Sequence, residues 1–233
     1  MIHLTGRERA QHVQEMFTRI AHRYDRMNRL MTAGQDVRWR REVIQRTELP
    51  ANGRLLDLGA GTGDLAREAL RQYPSCHPVA ADFTLEMMRM GKIRTNAPHL
   101  DWTAGDALRL PYPPDSFDAV VSGFLLRNVS DILLALCEQY RLLKPGGRVI
   151  SLDTTRPPSN LLSPFINIHL HKVIPTLGQW ITGDNDAYNY LPDSTKSFLG
   201  AEQLTGRMIA ASFREVGFRR LMFGTVAIHW GIK

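Results

Sequence analysis

Short apolar runs alternate with segments of helical periodicity through the middle of the chain. The apolar runs predict strands at residues 55–58, 78–82, 100–104, 117–122 and 148–152. The segments between them carry apolar residues at the spacing of an amphipathic helix; the one at 84–94 would turn Leu85, Met88 and Ile93 inward. Run 117–122 is continuous enough to be buried on both faces. The alternation therefore predicts an α/β fold with a parallel sheet and crossover helices.

The region before residue 50 is helical instead. Apolar positions predict helices at 7–21, 24–31 and 37–46. We expect this N-terminal helical extension, residues 1–50, to cap a ligand cleft.

The alternation breaks again after Asp153. An apolar run at 161–174 is shorter than the ~20 residues that span a bilayer, so we interpret it as part of an insertion, residues 155–200, that covers a cleft. A membrane anchor is the alternative. A last helix at 201–216 and strands at 218–223 and 225–232 bring the predicted sheet to seven strands, in a single domain over residues 1–233.

Composition bounds the setting of this domain. The chain has 233 residues, of which 43% are hydrophobic, enough for one α/β domain with a large core. The N-terminus lacks the apolar core of a secretory signal. Cys76 and Cys137 have no CxxC spacing, so reduced thiols and a cytoplasmic location are expected.

Charge points to a surface partner. The formal net charge is +6 with a pI of 9.6, and many arginines fall between residues 19 and 46, interleaved with acids. Such a face can meet nucleic acid, an anionic membrane or only water. No aromatic stacking platform accompanies the arginines, so nucleic acid is not expected. We do expect peripheral contact with an anionic membrane surface, and a homodimer is left open.

The first predicted strand runs into a glycine-rich turn, Gly59-Ala60-Gly61-Thr62-Gly63-Asp64, followed by a helix. Glycines let backbone approach a ligand closely, because they carry no Cβ. A dinucleotide loop would read G-x-G-x-x-G and hold a pyrophosphate at the helix N-terminus. Here Asp64 replaces the third glycine, and its charge would repel a pyrophosphate. A tight turn without a ligand is the alternative.

Acidic and small residues also end the neighbouring strands. Asp82 ends the second strand, where it can accept both hydroxyls of a ribose. An adenosine without phosphate, attached to an amino acid, is S-adenosylmethionine, which we predict as the cofactor. Further cofactor contacts are expected at the ends of the third and fourth strands, from Asp106, Ala107, Ser122 and Gly123. Asp106 would accept from the adenine amino group, and the Ala107 backbone would donate to a nitrogen of the adenine ring. The alternative is that Asp106 only stabilises a turn.

Other chemistries lack support in the sequence. His169 and His171 have neither an i, i+4 spacing nor a cysteine nearby, so no metal site is expected. No G-x-S-x-G elbow or catalytic-cysteine context indicates hydrolysis by an activated nucleophile.

Several stretches carry a family resemblance. They are Tyr24-Asp25…Met27-Asn28, the glycine turn, Leu126-Arg127-Asn128-Val129, Lys144-Pro145-Gly146-Gly147 and Asp186-Ala187-Tyr188…Tyr190-Leu191-Pro192. The glycine turn and Lys-Pro-Gly-Gly are shared by many methyltransferases, whereas the Arg-Asn-Val and Asp-Ala-Tyr stretches are more specific. Together they make the chain resemble, almost end to end, the C-methyltransferases of menaquinone and ubiquinone biosynthesis, such as the demethylmenaquinone methyltransferases.

The resemblance implies a class I S-adenosylmethionine-dependent methyltransferase fold. This fold is Rossmann-like, with a mostly parallel seven-stranded sheet, helices on both faces and an N-terminal helical extension. The resemblance also implies cofactor contacts at Thr62, Asp82, Asp106 and Ala107. Gly123 stands where the family often has serine, and Asp153 stands in a stretch where the family usually has glutamate.

The implied reaction is C-methylation of a prenylated quinol, demethylmenaquinol to menaquinol. We assign Arg127 and Asn128 as catalytic residues: they would orient an acceptor hydroxyl, and Arg127 would stabilise its oxyanion or polarise a water. Tyr24, Tyr188 and Tyr190 are candidates for the ring pocket, and 161–174 for sheltering the prenyl tail. The alternatives are a benzoquinol of ubiquinone biosynthesis, another small aromatic acceptor, and a non-catalytic cofactor-binding protein that docks on RNA or a membrane.

Overall fold

The computed structural model describes residues 6–94, 99–157 and 198–233. Within residues 6–50 the chain forms α1 (Gly6–Ile20), α2 (Tyr24–Met31) and α3 (Asp36–Gln45), as predicted to within one residue. Apolar side chains at Met16, Ile20 and Met27 pack α1 against α2.

The described residues form one seven-stranded sheet. Its strands are β1 (Arg54–Leu58), β2 (His77–Asp82), β3 (Asp101–Ala104), β4 (Phe117–Gly123), β5 (Leu143–Thr154), β6 (Arg214–Leu221) and β7 (Val226–Ile232), in the order β3-β2-β1-β4-β5-β7-β6. The first five strands pair in parallel, and β7 is antiparallel to both of its neighbours. The predicted mostly parallel sheet is confirmed.

Helices cover both faces of this sheet. The remaining described helices are α4 (Asp64–Gln72), α5 (Leu85–Arg94), α6 (Ile132–Leu142) and α7 (Ala201–Ala210). Side chains alternate along a strand, so Leu55 packs in the core with α3 and α4, while Leu56 and Leu58 pack on the opposite side with α6 and α7. Burial on both faces explains why the central strands read as continuous apolar runs.

Three predicted boundaries were wrong. Helix α7 ends at Ala210 rather than at residue 216, because the N–H groups of Ala211 and Phe213 turn back to the Met208 carbonyl (3.1 Å each). Strand β6 then starts at Arg214, four residues earlier than predicted, and an irregular register before Gly217 hides its alternation. Strand β5 likewise starts at Leu143, so the Lys-Pro-Gly-Gly turn lies inside it.

The inward face of α5 also differs from the prediction. Leu85 and Ile93 are exposed, and Met87, Met88 and Gly91 face the protein. A Cβ at Gly91 would overlap the Trp102 indole, and one at Gly63 would lie 2.7 Å from it. The indole is therefore wedged between α5 and the glycine turn, a fit that an apolar pattern does not show.

Several predicted features lie outside the described residues. These are most of the insertion 155–200 with its apolar run 161–174, and His169, His171, Tyr188 and Tyr190. Among the helices that are described, none combines the length and the apolar character needed to cross a bilayer.

Candidate active site

The loops that leave the carboxyl ends of β1 to β4 converge on one cleft. It encloses about 870 Å³ of space, which includes its open mouth. The sheet contributes Gly59, Gly61, Asp82, Asp106, Ala107, Gly123 and Asn128 to its lining, together with apolar neighbours. Val13, Gln14 and Phe17 of α1 line it from the other side, and Gln14 Nε2 donates to the Phe83 carbonyl at 2.8 Å. Helix α1 thus roofs the cleft.

The glycine turn has a backbone that other residues rarely adopt. Gly59, Gly61 and Gly63 have φ angles of 66°, 57° and 81°. A Cβ at Gly59 would also lie 2.7 Å from the Leu125 side chain. The N–H groups of Gly59 and Ala60 both donate to the Ala81 carbonyl, at 2.8 and 3.0 Å. The turn therefore presents bare backbone to the cleft, which fits a cofactor that lies directly on it.

Asp82 is fixed between this turn and the next loop. Its Oδ2 accepts from the Gly61 N–H and its Oδ1 from the Thr84 N–H, both at 2.7 Å. Burial raises the pKa of Asp82, and the N–H groups of Thr84 and Gly61 oppose that shift. Each carboxylate oxygen keeps a further lone pair. The carboxylate can therefore still accept the hydroxyls of a ribose.

Asp106 and Ala107 line the cleft beyond Asp82. The Asp106 Oδ1 accepts from the Leu108 N–H at 2.9 Å, which is the turn-forming role considered from the sequence. Ala107 is buried among the core residues.

The side chain of Ser122 lies beside the cleft and not in its lining. It is fully buried, and its hydroxyl donates to Ser151 Oγ at 3.2 Å. The next residue, Gly123, lines the cleft. A cofactor contact at Ser122, as predicted, would therefore have to come from its backbone.

Thr62 lies in a second compartment. Its hydroxyl donates to the Asp25 carboxylate of α2, at 2.9 and 3.1 Å, and Asp25 also pairs with Arg94 of α5. In the described structure the Thr62 hydroxyl therefore fastens α2 to the glycine turn.

This second space, which we call the polar compartment, measures about 440 Å³. It shares Tyr24, Gly59, Gly61, Gly123 and Phe124 with the main cleft, so the two are adjacent. Its own lining includes Asp25, Asn28, Arg40, Asp57 and Asp64. Asn28, Arg40 and Asp57 were not predicted as site residues. A carboxylate inside the apolar strand β1 is nevertheless a signal that could have identified Asp57.

Charges in the polar compartment are closely paired. Arg40 contacts Asp36 and Asp64, both at 2.7 Å. Burial raises the pKa of Asp57 to about 7, although its Oδ2 accepts from the Ala66 N–H at 3.0 Å.

Arg127 and Asn128 lie on different walls. Asn128 lines the cleft, and its Nδ2 donates to the Phe124 carbonyl at 3.0 Å. Arg127 forms a buried ion pair with Asp153 at 2.7 Å, where the two side chains are only 4% and 1% exposed. Arg127 lines a neighbouring cavity of about 750 Å³, next to Val129 and Ser130, which line both spaces.

The charge of Arg127 nevertheless reaches the cleft. Tyr24 is half-buried and lines both the cleft and the polar compartment. Burial raises the pKa of its hydroxyl, and the positive charge of Arg127 opposes that shift. The guanidinium therefore acts electrostatically on groups at the centre of the site.

Comparison with known proteins decides the family. The sequence profile described as the ubiE/COQ5 methyltransferase family matches residues 5–233. The chain belongs to this family. As a ubiE/COQ5 family member it is an S-adenosylmethionine-dependent methyltransferase, which confirms the predicted enzyme class and cofactor. The glycine turn and Asp82 fit that cofactor.

Individual relatives of this ubiE/COQ5 family member cover nearly all of it. The ubiquinone/menaquinone biosynthesis C-methyltransferase UbiE of Desulfotalea psychrophila is 45% identical over 221 residues, 95% of this chain and 90% of the relative. The demethylmenaquinone methyltransferase of Thermus thermophilus is 41% identical over 218 residues, 93% of this chain and 99% of the relative.

Solved structures confirm the class I fold. The [4+2]-cyclase SpnF has a TM-score of 0.69 at 18% identity and covers 96% of both chains. Phosphoethanolamine N-methyltransferase 2 of Haemonchus contortus, solved in complex with S-adenosyl-L-methionine, has a TM-score of 0.64 at 15% identity, over 84% of this chain and 52% of that one. At such identities the likeness concerns the fold alone.

Proposed function

We propose that this methyltransferase adds a methyl group to a ring carbon of a prenylated quinol, with demethylmenaquinol as acceptor and menaquinol as product. The observation that carries the proposal is the near full-length similarity to enzymes named for menaquinone biosynthesis, at up to 45% identity. The apolar side chains of Phe17, Phe124, Leu125 and Val129 in the cleft support an aromatic acceptor.

We propose that the protein's part in the chemistry is to hold and polarise the acceptor. Bound S-adenosylmethionine supplies a methyl group on a positively charged sulfur, from which a nucleophile can displace it. A quinol ring carbon becomes a strong nucleophile when a neighbouring hydroxyl releases its proton to water. Arg127, held by Asp153, stabilises the resulting oxyanion. It does not act as the base, because a guanidinium has no lone pair available to accept a proton. Once the carbon has taken the methyl group, it releases its own hydrogen to water as a proton and the ring becomes aromatic again.

The remaining assignments concern alignment. Asn128, whose amide is anchored on the Phe124 carbonyl, orients the acceptor hydroxyl. Gly59, Gly61, Asp82, Asp106, Ala107 and Gly123 hold the cofactor, and Thr62 supports the turn beside it. Residues 6–50 cap the cleft, since α1 and Tyr24 line it opposite the sheet. Alignment of two partners in this way lowers the entropic part of the barrier.

A panel of acceptors tests the proposal. The protein is incubated under reducing conditions with methyl-labelled S-adenosylmethionine and each of three quinols: demethylmenaquinol, a prenylated benzoquinol precursor of ubiquinone, and a naphthoquinol without a tail. We expect label in menaquinol and slower methylation of the tail-less ring. Absence of label from every quinol would overturn the proposal.

A benzoquinol is the second candidate acceptor, because the 45% identical relative is named for both ubiquinone and menaquinone biosynthesis. Label transferred faster to the benzoquinol than to demethylmenaquinol would favour this candidate.

A further inference from the structure

Asn28 carries a buried hydrogen-bond donor without an acceptor. The residue lies in α2 and is 7% exposed. Its Nδ2 has no partner that meets the geometric criteria of a hydrogen bond among the described residues. The amide does lie near the Tyr24 hydroxyl, where it opposes the rise in pKa that burial causes, so Tyr24 is its one polar neighbour of note among these residues. Buried donors are almost always paired, and an unpaired one destabilises the fold. The amide is therefore better explained by a ligand group than by packing.

The side chain of Asn28 belongs to the lining of the polar compartment. This compartment adjoins the main cleft beside the glycine turn, where Gly59 and Gly61 line both. A ligand in the cleft can therefore extend one end toward Asn28.

The order of the strands indicates which end of the cofactor does so. Asp82 ends β2 and Asp106 follows β3, so adenosine bound by these two residues would occupy the β2–β3 side of the cleft. The polar compartment lies around the ends of β1 and β4 instead, where Asp57 and Gly123 line it. The amino-acid end of the cofactor, which projects away from the adenine, would then lie toward this compartment.

The side chains of the compartment interact differently with the α-ammonium and the α-carboxylate of the cofactor's amino-acid end. Three carboxylates, from Asp25, Asp57 and Asp64, line it with Arg40. The α-ammonium is a pure donor and suits these acids. The α-carboxylate is a pure acceptor and needs the few donors present, of which the Asn28 amide is unpaired.

We propose that Asn28 Nδ2 donates a hydrogen bond to the α-carboxylate of S-adenosylmethionine in the polar compartment. Arg40 adds positive charge beside that carboxylate, and Asp57 accepts from the α-ammonium. The cap helix α2 is therefore part of the cofactor site. The proposal deepens the cofactor assignment and does not depend on which quinol is methylated.

The test compares two ligands in a thermodynamic cycle. S-adenosylhomocysteine and its decarboxylated analogue, which keeps the amine but lacks the carboxylate, are titrated calorimetrically into wild type and Asn28→Leu. For S-adenosylhomocysteine we expect the variant to lose affinity by roughly 10- to 100-fold, as for a hydrogen bond to a charged group. For the decarboxylated analogue we expect the affinities of the two proteins to agree within about twofold, since the pairwise contact is already absent.

Two further variants keep the result interpretable. Thr47→Val removes a buried hydroxyl that is already paired with the Ile44 carbonyl (2.6 Å) outside the compartment, and should leave both affinities unchanged. Asn28→Asp keeps the size of the side chain but puts a negative charge beside the ligand carboxylate. It should therefore weaken the binding of S-adenosylhomocysteine and not the binding of the decarboxylated analogue.

Either of two results would overturn the assignment: unchanged S-adenosylhomocysteine affinity in both Asn28 variants, or an equal loss for both ligands. Neither result bears on the acceptor, because no methyl transfer is measured.

Discussion

At the scale of single residues, the ion pair between Arg127 and Asp153 governs the proposed chemistry. The Asp153 carboxylate accepts hydrogen bonds from the Arg127 guanidinium at 2.7 Å and from the Arg127 backbone N–H at 3.3 Å. These two contacts fix the direction of the Arg127 side chain. Removing one partner of a buried pair typically costs ~3–5 kcal/mol of stability, because the other charge is left uncompensated. A fixed, poorly hydrated cation is also what a developing oxyanion requires.

Replacing Arg127 should therefore affect turnover and not cofactor binding. For Arg127→Ala we expect a rate of quinol methylation ~10²–10³-fold below wild type, the usual effect of losing an oxyanion donor. Arg127→Lys keeps the charge but loses the planar fork, so we expect nearly the same loss. Initial rates measure the turnover of each variant, and calorimetry with S-adenosylhomocysteine measures its affinity for the cofactor product.

Arg127→Lys also serves as the control for folding, because it leaves Asp153 with a cationic neighbour. Near wild-type turnover in Arg127→Ala would contradict the proposed role. Loss of S-adenosylhomocysteine binding would place Arg127 in the cofactor site instead.

At the scale of elements, the junction between β1 and α4 depends on Asp57. Its carboxylate lies near the end of the buried strand β1 and accepts from the Ala66 N–H in the first turn of α4. The ordinary pKa of 3.8 rises to about 7 because the group is buried. The folded protein therefore keeps a proton on Asp57 at pH values where the unfolded chain has released it.

This raised pKa has a definite sign in stability. Between pH 3.8 and about 7 the unfolded state binds fewer protons than the folded state, so stability falls as pH rises. The slope from one such group is at most about 1.4 kcal/mol per pH unit. Asp57→Asn keeps an acceptor for Ala66 and cannot ionise, so its free energy of unfolding relative to wild type should increase across this window. Urea denaturation at a series of pH values measures the difference, and a constant difference would show that Asp57 ionises normally.

Periodicity predicted most elements, and the failures have physical causes. The strands of the parallel region are buried on both faces, and this produces apolar runs that are easy to recognise. The predicted inward face of α5 was wrong because Gly91, which has no side chain, provides the space for Trp102. The predicted end of α7 was wrong because apolar residues continue into β6.

The candidate site was predictable only where it follows the sheet. The glycine turn, Asp82 and Asp106 end strands, and the ends of parallel strands meet at one edge. Asn28 and Arg40 come from helices whose docking the strand alternation does not encode. Ser122 and Gly123 are adjacent at the end of β4, and the sequence does not show which of them faces the ligand.

At the scale of the whole molecule, positive charge gathers near the N-terminus. The formal net charge is +6, and Arg26, Arg29, Arg38 and Arg41 of α2 and α3 are exposed. The proposed acceptor carries a polyprenyl tail, which resides in a bilayer. Basic residues gain ~1 kcal/mol each near an anionic lipid surface, and salt screens this attraction over about 8–10 Å.

We therefore expect the protein to sediment in part with anionic vesicles and to be released by salt. Arg38→Glu with Arg41→Glu should reduce the bound fraction more than the same change of charge at Arg89 and Lys92 of α5. Equal binding to neutral vesicles at high salt would contradict an electrostatic contact and would point to apolar insertion.

The position of Trp102 between α5 and the glycine turn also makes it an intrinsic fluorescence probe. The indole rests against Gly63 on one side and Gly91 on the other, whereas Trp39 and Trp230 pack in the cluster on α3 and α4. Any shift of the glycine turn on ligand entry changes the surroundings of this one ring. The contribution of Trp102 to the emission spectrum therefore reports occupancy of the cleft in unlabelled protein. The chain also contains Trp180, outside the described residues, so replacing Trp102 by phenylalanine identifies the part of the signal that comes from Trp102 while the turn keeps an aromatic support.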